Sequence, residues 1–194
     1  MEAITGIDHN ILLYFQENIQ QTWLTPIMTF ITHLGTGGAL WIALTVIMLF
    51  FRKTRPVAVA CAAALLIDVV VVNVVIKPIV ARPRPYDLYE DIVCLIKPQW
   101  DYSFPSGHAA ASLAAAGVYP LMKVKKRYSI PLLVLAFLIC FSRIYVCVHY
   151  PSDVVCGIVI GCFCAVGGWL IYQKWLIRIP LLAPAEEAAG DKEV

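Results

Sequence analysis

Residues 56–76, PVAVACAAALLIDVVVVNVVI, decide the fold class of this chain. Asp68 and Asn73 are the only strongly polar side chains in this stretch. A helix of about 20 apolar residues crosses the hydrocarbon core of a bilayer and satisfies its own backbone hydrogen bonds. The whole chain agrees, because 60% of its 194 residues are hydrophobic and only 14% are charged, which is too apolar for a water-soluble domain. The sequence therefore predicts an all-α integral membrane helical bundle.

Apolar runs of similar character recur along the chain and give five candidate membrane-spanning helices. They cover residues 37–51, 56–76, 107–122, 128–148 and 154–172. The first 35 residues differ, because Ile11, Phe15 and Ile19 share one helical face while polar side chains cover the opposite face. This pattern predicts an N-terminal interfacial helix. Residues 23–34 form either a second surface helix or a half-span, and a full crossing would raise the number of spans to six.

The chain shows neither an internal repeat nor a domain linker. We therefore expect one membrane domain over residues 1–178, with residues 1–35 as its N-terminal segment. Residues 179–194 lack apolar periodicity and are predicted to be a disordered cytoplasmic tail. Gly157 and Gly161 form a small-xxx-small pair, which lets membrane helices approach closely. The seven cysteines mostly fall within apolar runs and lack metal-ligand spacing, so we expect core residues and no metal site.

Basic residues gather in the connectors at one end of the predicted spans. The three clusters lie at residues 52–55, 123–127 and 174–178. By the positive-inside rule, this end is cytoplasmic, so the opposite connectors, including residues 77–106, face the extracytoplasmic space. The basic residues form no continuous stripe, which argues against nucleic acid as a partner. The pattern predicts a multi-pass protein of the plasma membrane.

Three polar motifs fall at the predicted extracytoplasmic end: KPIVARPRP at residues 77–85, PSGH at 105–108 and SRIYVCVHYPSD at 142–153. In the first motif Lys77 is followed closely by two arginines, and Asn73 shares a helical face with Lys77 and can orient it. Cations beside hydrocarbon are costly unless they bind an anion, and guanidinium groups match phosphate oxygens. The motifs therefore predict a phosphate site.

The histidines of the second and third motifs suggest two different roles. Ser106 is predicted to cap the helix that follows it, and Gly107 permits an anion to approach the free amides there. His108 can donate a proton to a leaving oxygen, because imidazole titrates near neutral pH. His149 and Asp153 lie four residues apart around a turn, so the carboxylate can fix the imidazole tautomer and raise its nucleophilicity.

The ordered motifs resemble the three-part signature of the type 2 phosphatidic acid phosphatase superfamily. The matching positions are Lys77, six residues, Arg84 and Pro85; then Pro105 to His108; then Ser142, Arg143, five residues, His149, three residues and Asp153. Arg82 is a further cation outside the signature, and we keep it with Asn73 as an accessory candidate.

This resemblance implies a role for each matching residue. His149 would be the nucleophile that forms a phosphohistidine, Asp153 its partner, and His108 the acid that protonates the leaving group. The reaction would need no metal or other cofactor. The residues implied to hold the phosphate are Lys77, Arg84, Ser106, Gly107 and Arg143.

Within the superfamily, residues 23–41 resemble small bacterial phosphatidylglycerophosphate and undecaprenyl diphosphate phosphatases. An outward-facing site favours undecaprenyl diphosphate as the membrane lipid substrate, with phosphatidylglycerophosphate and phosphatidic acid as alternatives. The loop at residues 86–102 carries Lys97 and Trp100 near the expected head group, and the role of Asp68 stays open. The competing class is a lipid or anion transporter, which would need polar residues at midplane depth in several helices. The sequence does not predict the oligomeric state.

Overall fold

The computed structural model describes residues 2–179 and 182, with side chains from residue 5 onward. The regular elements within these residues are all helical, and no strand occurs among them. The predicted tail at residues 179–194 lies outside the described residues, except for 179 and 182. The α-helices run in chain order as α1 (Glu2–Tyr14), α2 (Thr25–Leu34), α3 (Ala39–Leu49), α4 (Arg55–Asp68), α5 (Lys77–Val80), α6 (Pro85–Leu88), α7 (Gly107–Ala116), α8 (Val118–Leu121), α9 (Lys126–Tyr145) and α10 (Pro151–Lys174).

Three stretches of the described chain are helical, long and apolar enough to cross a membrane: Arg55–Leu88, Lys126–Tyr145 and Pro151–Arg178. The pair Thr25–Leu34 and Thr36–Leu49, bent by 45°, makes a fourth if its halves form one span. The predicted multi-pass helical architecture is confirmed at this level. The count of five or six spans and the interfacial position of the N-terminal helix stay predictions.

The predicted span at residues 107–122 consists of two short helices, α7 and α8. Their combined length of about 22 Å, at 1.5 Å per residue, is less than the hydrocarbon thickness of about 30 Å. Every residue of α7 from Ala109 to Ala116 is buried. A helix surrounded by protein does not need to match the bilayer, so α7 serves as the central packing element.

Small residues bring α10 against α7, as the glycine pair predicts. A Cβ atom on Gly157 would lie 2.6 Å from the carbonyl oxygen of Ser106 and 3.0 Å from the Cβ of Ala109. Only glycine therefore allows this approach. The contact continues to the helix ends, where the Ser106 amide donates to the Asp153 carbonyl over 3.0 Å. It fixes the second motif beside the third.

A π-helical segment, Val69–Ile76, joins α4 to α5. Its hydrogen bonds close over five residues instead of four, which widens each turn. Residues four and five apart then lie on a similar side of the helix, as Asp68, Asn73 and Lys77 are spaced. Asp68, Asn73 and Lys77 all line the same cavity. The wide segment thus turns the polar residues of an apolar stretch to one side.

The bend between α2 and α3 lies over the start of α7. Gly38 has a φ of 70°, in the left-handed region that favours glycine. Just before it, the backbone at Gly35 packs so closely on His108 that an added Cβ would lie 2.7 Å from the imidazole Cδ2. The bend therefore holds the His108 ring in place from one side.

Candidate active site

Residues from all three motifs surround one cavity of about 360 Å³. The cavity lies where Lys77 begins α5, Gly107 begins α7 and Arg143 occupies the last turn of α9. Helix ends meet here because α7, α9 and α10 pack side by side. The predicted site residues that line the cavity are Asn73, Lys77, Arg84, Gly107, His108, Arg143 and His149.

His149 lies in the short turn between α9 and α10 and is 1% exposed. Its Nε2 is 3.3 Å from Nη1 of Arg84. Its Nδ1 is 3.4 Å from the Ser103 hydroxyl and 3.6 Å from Oδ2 of Asp153. One ring nitrogen therefore faces the cavity cations while the other faces a carboxylate and a hydroxyl.

The pKa of the His149 imidazole lies well below its usual value, because burial disfavours the charged ring. The nearby cations Arg84, Arg143 and Lys77 lower this pKa further. The ring is therefore neutral near pH 7, and one of its two nitrogens carries a lone pair. With Nδ1 directed at Asp153, the lone pair belongs on Nε2, the nitrogen that faces the cavity.

Arg84 and Lys77 share one carboxylate, that of Asp101. Arg84 donates to Oδ1 of Asp101 over 2.6 Å and to the Asp101 carbonyl over 2.9 Å, while Lys77 bonds to Oδ2. Arg84 also donates to the Val148 carbonyl over 2.7 Å, beside His149. Burial alone would raise the pKa of Asp101, but Lys77 and Arg84 outweigh it and hold the pKa at about 2. Asp101 is therefore a permanent anion at the cavity wall.

Arg143 is the most deeply buried cation of the cavity, with 2% of its surface exposed. Its Nη1 donates to the Thr32 hydroxyl over 2.6 Å. Its Nε and Nη2 have no hydrogen-bond partner within the described part of the chain. An unpaired buried donor costs about 1–3 kcal/mol, and more when charged. Two donors of one guanidinium, aimed along its fork, match two oxygens of an anion.

His108 is the second residue of α7 and lines the same cavity as His149. Its Nε2 is buried and has no partner among the described residues. Next to it, a Cβ on Gly107 would lie 3.8 Å from the Asn73 side-chain oxygen and 3.9 Å from the Lys77 Nζ. Gly107 is thus a neighbour of both residues, and it leaves the helix amides accessible.

Two of the predicted residues, Ser106 and Asp153, lie behind the cavity wall instead of on it. Ser106 occupies the N-cap position of α7, but its side chain makes no cap hydrogen bond and its Oγ has no partner within the described chain. Ser106 is therefore at the predicted cap position, and its side chain leaves the first amides of α7 free of a cap hydrogen bond. Asp153 is fully buried behind His149 and accepts hydrogen bonds from the Ser103 hydroxyl at 2.5 Å and the Tyr150 amide at 3.1 Å.

Arg82 is directed away from the cavity. Its Nη1 donates to Oδ1 of Asp153 over 2.6 Å, and its Nη2 donates to Asp8 over 2.9 Å. The guanidinium also stacks over the Tyr150 ring at 3.8 Å. As an accessory candidate, Arg82 therefore contacts the aspartate behind His149 and does not line the cavity with the other cations.

Sequence reasoning did not identify Asp101, Ser103, Thr32 and Asp8 as site residues. Asp101 and Ser103 lie just before the PSGH motif in the sequence, and this position was the one signal that they belong to the site. Thr32 and Asp8 come from the first 35 residues, and no spacing relates them to the motifs. Across residues 2–179, no group of three or more His, Cys, Asp or Glu side chains is placed to hold a metal ion.

Comparison with known proteins gives relatives over most of the chain. The chain is 36% identical to phosphatidylglycerophosphatase B of Bacillus subtilis, over 74% of this chain and 72% of that protein. It is 31% identical to an undecaprenyl-diphosphatase of Sulfolobus acidocaldarius, over 80% of this chain and 75% of the relative. The fold is similar to the crystal structure of the first transmembrane PAP2 type phosphatidylglycerolphosphate phosphatase from Bacillus subtilis. The TM-score is 0.72 at 29% identity, covering 92% of this chain and 89% of that one.

A family model covers the helices that carry the three motifs. The model of the PAP2 superfamily matches residues 55–177, from the start of α4 to the end of α10 and just beyond. This range includes every predicted site residue, and the relatives agree with it. The chain therefore belongs to the PAP2 superfamily.

Proposed function

We propose that this membrane-embedded lipid phosphate hydrolase converts undecaprenyl diphosphate to undecaprenyl phosphate at the extracytoplasmic face of the plasma membrane. The observation that carries the phosphate chemistry is the buried Arg143 side chain, which lines the cavity with Lys77 and Arg84 and has two nitrogens without a partner among the described residues. Three cations around one neutral histidine form an anion site with a nucleophile inside it. The name of the Sulfolobus relative supports the choice of lipid.

The proposed reaction proceeds in two displacements. The His149 Nε2 lone pair attacks the terminal phosphorus and the bond to the bridging oxygen breaks. His108, which takes up a proton when the anionic phosphate binds beside it, donates that proton to the departing lipid phosphate. Water then attacks the phosphohistidine while His108 accepts a proton, which releases inorganic phosphate and restores both histidines. Arg143, Arg84 and Lys77 stabilise the negative charge on the equatorial oxygens throughout. Asp153 holds Nδ1 so that Nε2 remains the nucleophile.

The proposed orientation rests on charge at the two ends of the helices. α4 begins with Arg55 and α9 begins with Lys126, whereas the cavity residues lie at the opposite ends of these two elements. Basic connectors prefer the cytoplasmic side. Trp100 lines the cavity and is 98% exposed, as suits a residue at a membrane interface. A site facing outward would meet carrier lipid diphosphate released on that side.

Phosphatidylglycerophosphate is the second candidate substrate. The relative at 36% identity is named phosphatidylglycerophosphatase B. The cavity groups described above would contact phosphate oxygens, which both lipids share. The distinction should therefore come from the leaving group and from Lys97 and Trp100 of the loop.

Phosphate release by the detergent-purified protein, measured with excess chelator, tests this proposal. Undecaprenyl diphosphate, phosphatidylglycerophosphate and phosphatidic acid should be compared at matched mole fractions in the micelle. We expect the highest kcat/KM on undecaprenyl diphosphate, with no loss in chelator. A higher kcat/KM on phosphatidylglycerophosphate would transfer the assignment to the second candidate. Tight lipid binding with no release from any lipid would favour a transporter.

Asp101 provides a test of the anion site itself. Its carboxylate occupies the Lys77 and Arg84 donors that a phosphate would use. Asp101→Asn should therefore tighten competitive inhibition by inorganic phosphate roughly 3- to 10-fold, the size of a partly exposed ion pair. A carboxyl with a lowered pKa keeps its charge until the pH falls through the folded-state value, here about 2. The ratio between variant and wild type should thus stay constant from about pH 5 to pH 8.

The matched control is Asp91→Asn, which removes the same charge from the same loop but from an ion pair with His9. It should leave phosphate inhibition unchanged. Weaker inhibition in Asp101→Asn would instead mean that Asp101 holds the two cations in their binding positions.

A further inference from the structure

A buried aspartate of the N-terminal helix reaches the back of the proposed active site. Asp8 lies on α1 and is 3% exposed. It accepts hydrogen bonds from the Ser152 amide at 3.0 Å, from the Ser152 hydroxyl at 2.5 Å and from Nη2 of Arg82 at 2.9 Å. Asp8 belongs to none of the three motifs and precedes the matched residues 55–177. The buried Asp8 carboxylate is therefore surrounded by three donors: the Ser152 amide, the Ser152 hydroxyl and the Arg82 guanidinium.

Arg82 connects Asp8 to the aspartate behind the nucleophile. Its guanidinium gives one nitrogen to each carboxylate, Nη2 to Asp8 and Nη1 to Asp153. Nη1 also donates to the Ser152 hydroxyl over 2.8 Å, and the Tyr150 ring lies against the guanidinium face. Hydrogen bonds to the guanidinium nitrogens and the Tyr150 ring against the guanidinium face therefore hold Arg82 in one orientation.

The orientation of this fork decides how Asp153 presents its oxygens. Oδ1 accepts from Arg82, while Oδ2 is left for Ser103, the Tyr150 amide and the Nδ1 side of His149. An arginine frequently binds a carboxylate through two parallel hydrogen bonds. Asp8 prevents that arrangement by engaging Nη2. Without Asp8, Arg82 would be free to take both Asp153 oxygens and draw Oδ2 away from His149.

We propose that Asp8 is a positioning residue for catalysis, acting through Arg82 to keep Oδ2 of Asp153 directed at His149. This inference rests on the proposed function of His149 as nucleophile and Asp153 as its partner. It adds Asp8 and Arg82 to that site, and it means that the N-terminal helix α1 contributes a positioning residue. The expected signature is a loss in kcat with little change in KM, because Asp8 is remote from the phosphate cations.

A matched control comes from a second contact of α1, which His9 makes with the loop at residues 86–102. His9 stacks on Tyr89, with ring centroids 3.9 Å apart, and its Nε2 lies 3.0 Å from Oδ1 of Asp91. This pair holds α1 to the loop but makes no contact with Arg82 or Asp153. Asp91→Asn therefore weakens helix docking without altering the carboxylate behind the nucleophile.

The first experiment compares Asp8→Asn with Asp91→Asn in kcat, KM and thermal unfolding midpoint, on the lipid that the wild type hydrolyses fastest. Asn keeps an oxygen for Ser152 but offers an amide group to a guanidinium that can only donate. We expect Asp8→Asn to lose about 10-fold in kcat, as supporting residues of reactive groups do, with KM within about 2-fold. Asp91→Asn should keep its kcat. An unchanged kcat in Asp8→Asn, or equal losses in both variants, would overturn the proposal.

A double-mutant cycle with Arg82→Lys tests the route of the effect. A lysine retains the charge but lacks the planar fork that joins two carboxylates. If Asp8 acts through Arg82, Asp8→Asn should cost nothing further in the Arg82→Lys background, whereas additive losses would contradict this route. The cycle also remains informative if Asp8→Asn alone folds poorly, because Arg82→Lys by itself should reproduce the kcat loss.

A parallel His149→Ala measurement separates the two levels of inference. Activity retained in His149→Ala would contradict the proposed mechanism itself. An inactive His149→Ala together with a fully active Asp8→Asn would contradict the role of Asp8 alone.

Discussion

Replacing His149 by alanine is expected to abolish phosphate release, with a loss of about 10⁴-fold or more, the scale for removing a catalytic nucleophile. The ring is buried and neutral, its Nε2 lies 3.3 Å from Nη1 of Arg84, and its Nδ1 lies 3.6 Å from Oδ2 of Asp153. The measurement is initial-rate phosphate release in detergent, combined with base-quenched trapping of phosphoenzyme from a radiolabelled lipid. Wild type should retain label and His149→Ala should not.

His33→Ala is the matched control for this experiment. His33 is exposed on α2, and its Nδ1 is hydrogen-bonded to the Thr29 carbonyl of the same helix. The control should keep wild-type turnover. Trapped label in His149→Ala, or turnover close to wild type, would require another nucleophile.

The second large effect is expected in His108→Ala and should depend on the leaving group. Hydrolysis of a phosphate monoester expels an alkoxide, which needs a proton, so the variant should lose about 10²- to 10⁴-fold in kcat. Hydrolysis of a diphosphate expels a lipid phosphate, a far weaker base, and the loss should be roughly 10-fold. The measurement compares kcat on phosphatidic acid and on undecaprenyl diphosphate in the same micelles.

The ratio of the two losses is the decisive quantity, because a variant that is simply misfolded loses activity on both lipids equally. Thermal unfolding of His108→Ala against wild type provides the folding control. Equal losses in a variant that unfolds at the wild-type temperature would show that His108 does not protonate the leaving group.

The sequence predicted the helical membrane architecture because apolar length is a local property of the chain. It also predicted that Lys77, Arg84, His108, Arg143 and His149 belong together, and the structure places all five around one cavity. Their chemical roles stay predictions. What carried the prediction was the position of charged residues at helix ends, since such residues beside hydrocarbon have few explanations other than a bound anion.

The parts that sequence did not predict depend on contacts between distant segments. Ser106 lies at the expected cap position of α7, but the sequence did not show that its hydroxyl is buried and without a partner among the described residues. Arg82 was kept as an accessory candidate outside the signature, and the sequence did not show that it contacts Asp8 of α1 and Asp153. The membrane-crossing length of residues 107–122 could not be judged either, because full enclosure of α7 by protein removes the bilayer constraint.

The π-helical segment Val69–Ile76 links the helix type of this stretch to the number of residues between Asp68 and Lys77. A wide turn holds more residues than an α-helical turn. A single deletion there would leave the hydrophobicity of the stretch almost unchanged, and a return to ordinary α-helical turns would offset the rotation that the missing residue removes. The α4 face that packs on α10 would then stay directed at α10. Relatives that are one residue shorter here should therefore have an α-helix in place of the π-helical segment.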